Sequence, residues 1–325
     1  MYRIELGNAA FEGQNVAYLL GAESGATTLI DTGANRPAVR EDLRAGLSAA
    51  GVEPADLDRI LLTHHHADHS GLAAWLQAES GATVHVGRGD ADRAAADPAT
   101  TPQLESHHER LFEEWGMPAA ALDRLRTFVT EHDVRGGPVD VTPIDAGDEF
   151  DAGETTLTAV PLPGHTAGLT GFVGDVDGER ALFAGDALLP EYTPNVGGAD
   201  VTVRRPLATY CETLVSISEG EYDVAYPGHR DPIADPRARA VTILDHHRER
   251  TGNVVDALAD GPADAWTVSD RLFGDLANIH ILHGPGEAWA HLEHLRDADI
   301  VARDGTEYRL VETEPDLSAL FPSVA

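Results

Sequence analysis

Residues 61–71 read LLTHHHADHSG, which places four histidines and an aspartate between positions 64 and 69. The apolar run DRILL leads into this stretch, so a strand is expected to end near Thr63, with His64 opening a loop at its C-terminal edge. Side chains alternate in extended backbone, so His64 and His66 can project to one side while His65 points away. Asp68 and His69 fall at the start of the next helix, where a carboxylate also suits the helix N-terminus. Two pairs of donors facing a common point would suit two neighbouring metal ions.

A site of that kind needs ligands from elsewhere in the chain. Three isolated residues stand in the same strand-end context: His165 in PLPGHT, Asp186 in LFAGD and His229 in AYPGH. Each ends an apolar run and each follows glycine, which lets the backbone turn sharply and leaves the next side chain at a sheet edge. A lone histidine after a strand is usually structural, but three such positions beside H-x-H-x-D-H shift that balance. No G-x-S-x-G elbow or Cys–His pair competes, since Cys211, the only cysteine, lies in an apolar helix and reads as core. Imidazole and carboxylate donors suit Zn²⁺, and Fe and Mn share them. Water on such an ion has a pKa near ~7, so a hydroxide nucleophile exists at neutral pH.

Taken in order, Asp31 of DTG, His64/His66/Asp68/His69, His165, Asp186 and His229 resemble the five motifs of the metallo-β-lactamase superfamily. The resemblance implies an α/β fold, an αββα sandwich with its site along one edge. It implies that His64, His66 and His165 serve a first metal, that Asp68, His69 and His229 serve a second, and that Asp186 bridges them. Asp31 is implied as a support behind the ligands, and Asp68 as a proton handler as well as a ligand. Members with a di-iron redox centre carry Glu where this chain has His66, which favours hydrolysis here.

Around the motifs, β/α alternation runs from TTLIDTG (27–33) to ATVHV (82–86), with a helix over 36–51 stopped by Gly51. A polar helical insertion occupies about 90–137. Strands then return through PVDVTPI, TTLTAVPLPGH, TGFVGDV and RALFAGD, followed by a helix and the last strand DVAYPGH. The expected division is a metallo-β-lactamase-type domain over 1–235, then a linker helix and a winged helix over 236–325. That C-terminal arrangement, with LLPEYTPNVG after Asp186, resembles the β-lactamase-like-protein-2 branch, whose members include nucleases acting on single-stranded RNA. The segment GEAWAHLEHLRDAD carries four acids against Arg296, a poor phosphate reader, so a packing or dimerisation module that walls the cleft is favoured. A homodimer is compatible with it.

The chain holds 55 Asp plus Glu against 23 Lys plus Arg, a net charge of −32 over 325 residues, and every basic residue is arginine. The acids are spread rather than clustered, as in cytosolic proteins of extreme halophiles, where ~1 M salt shortens the Debye length to about 3 Å. The opening MYRIELGNAAFEG has no basic or apolar leader pattern and no apolar run is long enough for a membrane span, so a cytoplasmic protein with no membrane partner is expected. Arg204 and Arg205 are candidates for holding a substrate anion. His107/His108 and His246/His247 read as exposed helix residues, and Arg230 replaces a glycine that often follows the last PGH. The expected activity is a dinuclear hydrolase acting on a small ester or thioester through a metal-bridging hydroxide, as in hydroxyacylglutathione-hydrolase-like proteins. The alternatives are a phosphodiesterase acting on RNA and a non-catalytic winged-helix regulator.

Overall fold

Strand residues of this chain alternate between two cores, and that alternation builds the layers. The computed structural model describes residues 1–7, 13–96 and 101–322, the side chains of 101–105 excepted. A six-stranded sheet runs in sequence order through β1 (Tyr2–Leu6), β2 (Asn15–Leu20), β3 (Thr28–Ile30), β4 (Arg59–Leu62), β5 (Thr83–Gly87) and β6 (Val141–Ile144). The first two pairings are antiparallel and the last three parallel. A five-stranded sheet holds β7 (Glu149–Asp151), β8 (Thr156–Pro161), β9 (Thr170–Val176), β10 (Glu179–Gly185) and β11 (Val224–Pro227), in the order β11-β10-β9-β8-β7. Only β10 and β11 pair parallel there; the other pairs are antiparallel, as the DG and Gly turns led one to expect.

In β4, Ile60 and Leu62 join the core on the helix side of the first sheet, while Leu61 faces the second sheet. In β10, Ala181 and Phe183 lie between the sheets, while Leu182 and Ala184 join the core on the far side. Strands buried on both faces have no polar alternation to show, which is why they read as continuous apolar runs.

The first sheet is covered by α1 (Pro37–Ala49) and α3 (Ala73–Ser80), with the single turn α2 (Ala67–Ser70) between β4 and α3. Val39, Leu43 and Leu47 of α1 recur every four residues and are fully buried, so Leu43→Ala would cost ~2–5 kcal/mol. The insertion forms α4 (Ala91–Ala94), α5 (Thr101–Glu114) and α6 (Ala119–Glu131), and its residues 97–100 lie outside the described residues. The second sheet is covered by α7 (Pro206–Glu219) and α8 (Pro236–Leu258). After α8 come α9 (Ala265–Phe273), α10 (His280–Asp297) and a hairpin of β12 (Val301–Asp304) and β13 (Glu307–Leu310).

Two expectations are corrected here. Helix α10 begins at His280, six residues before the expected GEAW start, so the HGPG stretch (283–286) lies within the helix although Pro285 normally breaks one. The physical reason is close packing: a Cβ on Gly286 would come within 2.2 Å of Gly198 Cα, so these glycines let α10 lie against the 195–199 loop. The expected exposure of the histidine pairs also fails. His247 is fully buried beside His291, while His246, His107 and His108 are half-buried. His247 falls on the same helical face as Ile243, Leu244, Thr251 and Val254, all buried.

Candidate metal centre

The C-terminal ends of β3, β4, β8, β10 and β11 meet along one edge, and Asp31, His64, His165, Asp186 and His229 each stand within four residues of such an end. The glycine before each of the last three has a local reason. Gly164 and Gly185 adopt φ of 137° and 51°, in the region that favours glycine. A Cβ on Gly228 would lie 2.5 Å from Asp186 Oδ1 and from His69 Cε1.

Two donor groups result. His64 Nε2 and His165 Nε2 each lie 3.0 Å from His66 Nδ1. His69 Nε2 lies 3.2 Å from His229 Nε2, and Asp68 Oδ2 lies 3.6 and 3.5 Å from those two nitrogens. Asp186 spans both groups, with Oδ1 3.5 Å from His69 Nε2 and Oδ2 3.4 Å from His229 Nε2 and 3.7 Å from His165 Nε2. The seven residues named from the sequence are therefore brought together, mostly buried.

The outward nitrogens explain the orientation of every ring. His64 Nδ1 meets Thr63 Oγ1 at 3.0 Å, His66 Nε2 meets the Ala199 carbonyl at 3.2 Å, and His165 Nδ1 meets the Asn195 carbonyl at 2.8 Å. His69 Nδ1 meets Asp31 Oδ2 at 2.9 Å, and His229 Nδ1 meets the Gly13 carbonyl at 2.7 Å. Each acceptor fixes the proton on the outer nitrogen, so each inner nitrogen presents a lone pair. Lone pairs 3.0–3.2 Å apart repel unless a cation lies between them. Asp186 Oδ1 adds a buried oxygen with no hydrogen-bond partner among the described residues, which a metal would satisfy. The residues present thus fit a pair of cations.

Electrostatics divide the two groups. Burial, reinforced by the other histidines, holds His64 and His66 well below the usual imidazole range, and burial lowers His165 as well. Burial would also lower His69 and His229, but Asp186 and Asp68 together, with Asp31 hydrogen-bonded to His69, outweigh it and raise both. Burial opposes ionisation of Asp186, yet His229 and His69 hold its carboxyl well below the ordinary range.

Asp31 sits behind the site as expected. Its Oδ1 accepts the Thr63 amide and its Oδ2 accepts both the Thr63 hydroxyl and His69 Nδ1. One carboxylate therefore orients His69 directly and His64 through Thr63. His65 does point away from the donors, but it has a place of its own: its amide donates to Asp90 Oδ2 at 3.1 Å. Buried Asp90 also accepts the Thr166 hydroxyl and the Gly168 amide, which ties the H-x-H loop to the turn after His165. His65, Asp90 and Asp200 lie close enough to suggest a third donor cluster, but Arg93 already occupies Asp200 at 2.5 Å.

Arg204 and Arg205 do not stand at the metal cluster or line the cleft beside it. Both are exposed, and Arg205, in left-handed backbone before α7, turns outward to Asp297 at 3.1 Å. The arginine that does line the cleft is Arg230. Residues missed from the sequence include Asn15, whose amide donates to Asp68 Oδ2 at 3.1 Å, and Asn195, whose side chain builds the loop behind His66 and His165. The turn composition PNVGG around Asn195 was the available signal.

Comparison with known proteins accords with this geometry. A solved metallo-beta-lactamase family protein from Thermus thermophilus is 30% identical over 95% of this chain and 98% of its own, with a TM-score of 0.83. The probable metallo-hydrolase YqjP of Bacillus subtilis is 25% identical over 89% of this chain and 90% of its own length. An atrochrysone carboxyl ACP thioesterase of Passalora fulva is 25% identical over 78% of this chain and 59% of its own length. The family model for the metallo-beta-lactamase superfamily matches residues 10–229, the span that carries every donor described above. With that span and that edge of converging histidines and carboxylates, the chain belongs to the metallo-β-lactamase superfamily and is one of its hydrolases.

Proposed function

We propose that this protein is a dinuclear hydrolase of small acyl thioesters or esters. The observation that carries the reading is the convergence of five inward imidazole nitrogens and two carboxylates, with every outward nitrogen tied to an oxygen. His64, His66 and His165 would hold one ion, Asp68, His69 and His229 the other, and Asp186 both. Zn²⁺ suits this donor set best, ahead of Fe or Mn. When bound, the ions supply Lewis acidity and bring the pKa of water to ~7.

The chain's own residues supply position and proton transfer. Asp68, with its side chain 12% exposed and held by Asn15, receives the proton of the attacking water and returns it to the leaving group. Asp31 and Thr63 fix two rings, and the Asn195–Ala199 loop fixes two more.

Two observations support an acyl substrate over a nucleic acid. The relative from Passalora fulva is named for thioester hydrolysis. The order α9, α10, β12–β13 suits a winged helix, yet Ile281, Ala288, Leu292 and Leu295 of α10 are buried in the core shared with α5 and α6. Four arginines around it are engaged by acids, Arg205 by Asp297, Arg250 by Glu287, Arg296 by Glu293 and Arg303 by Glu114, and Arg271 of α9 is held by the Ala257 carbonyl. Among the described residues of this segment, no face is left with the clustered cations that phosphate binding requires.

The test is a substrate panel on zinc-loaded protein in molar KCl: acyl thioesters, lactones, bis-p-nitrophenyl phosphate and single-stranded RNA. Thioester or lactone turnover, abolished in Asp186→Ala, is the expected result. RNA cleavage without acyl hydrolysis would replace this substrate class, and full activity in Asp186→Ala would remove the dinuclear mechanism.

A further inference from the structure

A cleft of about 530 Å³ opens beside the metal cluster, a size suited to a small-molecule ligand. One wall is the loop after Asp186 with Tyr192, one is the backbone next to His229, and the third is α9 and α10 with the short link between them. Its position is fixed by two shared residues. Gly13, on the cleft, accepts His229 Nδ1, and Asn195, on the cleft, accepts His165 Nδ1. The α9–α10 wall carries Phe273, Leu276 and Ile279, half-buried along it, beside His280, His283, Gly284 and Glu287.

Arg230 is the only guanidinium among the described residues lining this cleft, in a chain of net charge −32. It follows His229 directly and has φ of 65°, a conformation that bulky residues rarely adopt. The backbone there is held from both sides: the Arg230 amide donates to the Gln14 carbonyl at 3.0 Å, and Arg3 Nη2 donates to the Arg230 carbonyl at 2.8 Å. Glycine would meet the same backbone requirement without strain, so the side chain is what an arginine adds. That side chain is oriented in advance. The guanidinium stacks 4.7 Å over the Tyr192 ring, and Nη1 donates to Glu191 at 2.9 Å. Its Nε is buried and has no hydrogen-bond partner among the described residues. Glu191 itself is 60% exposed, so an incoming anion can displace it at small cost.

We propose that Arg230 is the specificity-determining residue of the hydrolase, binding a carboxylate carried by the substrate while the apolar part of the acyl group lies on Phe273, Leu276 and Ile279. The favoured substrate is then an amphiphilic acyl thioester or ester with an anionic group away from the scissile bond. Once Glu191 is displaced, the terminal nitrogens of the planar guanidinium can meet a carboxylate by paired hydrogen bonds, which a lysine cannot reproduce. The identity of the scissile bond rests on the acyl-hydrolase reading above; the anion preference does not.

The experiment therefore measures binding apart from turnover. Zinc-loaded wild type, Arg230→Gly and Arg230→Lys are titrated calorimetrically with suberic acid monoamide and with suberamide, which share a chain and differ in one carboxylate. Wild type is expected to bind the monoacid at least ~10-fold more tightly. Arg230→Gly, which relieves the backbone strain and so folds, is expected to erase that ratio, and Arg230→Lys to restore only part of it. Equal affinities in wild type would overturn the proposal. So would a ratio that survives in Arg230→Gly, since the carboxylate would then sit on the metals. If the ratio behaves as expected but no thioester or ester in the panel is turned over, the acyl-hydrolase reading fails and the anion site stands.

Discussion

Asn195→Ala should weaken one metal group and spare the other. The Asn195 side chain accepts the Gly198 and Ala199 amides at 3.1 and 2.8 Å and donates to the His283 carbonyl at 3.1 Å. Its own carbonyl meets His165, and the Ala199 carbonyl that it positions meets His66. Removing three hydrogen bonds worth ~0.5–1.5 kcal/mol each should lower stability by about 3 kcal/mol in urea unfolding. Loosening the acceptors behind two ligands should lower affinity of that group by ~10–100-fold. The other group leans on Asp31, Gly13 and Asn15, none of which Asn195 touches. Metal content after dialysis against a graded chelator buffer should then fall from two ions to one at a chelator strength that leaves wild type full. Asn195→Asp keeps both accepted amides and should retain the metals while losing the bond to His283. Parallel loss of both ions, or lower stability with no loss of metal, would refute the view that this loop sets His66 and His165.

Asp31→Asn should have the opposite breadth, loosening His69 directly and His64 through Thr63, so chelator titration should strip both ions together. Acid should destabilise the fold through His247, whose pKa burial pushes down to about 3, with His246, Arg250 and His294 adding to the effect and His291 lowered beside it. The folded state keeps His247 neutral while the unfolded chain protonates near ~6.5, so its contribution is intact above that pH and shrinks as pH falls; at pH 4.5 the loss is about 2–3 kcal/mol, which denaturation of wild type against His247→Leu at pH 7.5 and 4.5 will read. Low salt should also destabilise the chain: at ~0.01 M the Debye length reaches about 30 Å, and the repulsion within a net charge of −32 is no longer screened. A melting temperature unchanged between ~0.05 M and ~2 M KCl would reject the halophile-type reading.

The donors were legible because a strand end followed by Gly-His or Gly-Asp is a pattern in residue types. Their supports were not, because four of the acceptors behind the rings are main-chain carbonyls or a hydroxyl, and a carbonyl oxygen leaves no mark in a sequence. Arg204 and Arg205 stand out as adjacent cations in an acidic chain, yet direction decides their role: left-handed backbone at Arg205 turns it toward Asp297. His247 shows the reverse case. Its spacing from Ile243, Leu244 and Thr251 places it on the buried face, and weighing residue type over position gives the wrong exposure. Propensity alone puts a helix boundary at the HGPG stretch, and tight packing against the 195–199 loop overrides it.

The division of labour between the two ends of the chain follows from where the cores lie. Leu111, Trp115 and Leu125 of the insertion share one core with Val254, Val268, Leu292 and Tyr308 of the C-terminal segment, so neither piece buries its apolar face without the other. That joint body presses α10 onto the 195–199 loop through Gly286 and through the Asn195–His283 hydrogen bond. The loop in turn carries the carbonyls that hold His66 and His165. The segment most remote in sequence from LLTHHHADHSG thus bears on two rings of the metal centre and also supplies the apolar residues of the cleft, Phe273, Leu276 and Ile279. A substitution in α10 that widens its contact with the loop should change metal affinity and substrate choice together, because one contact serves both.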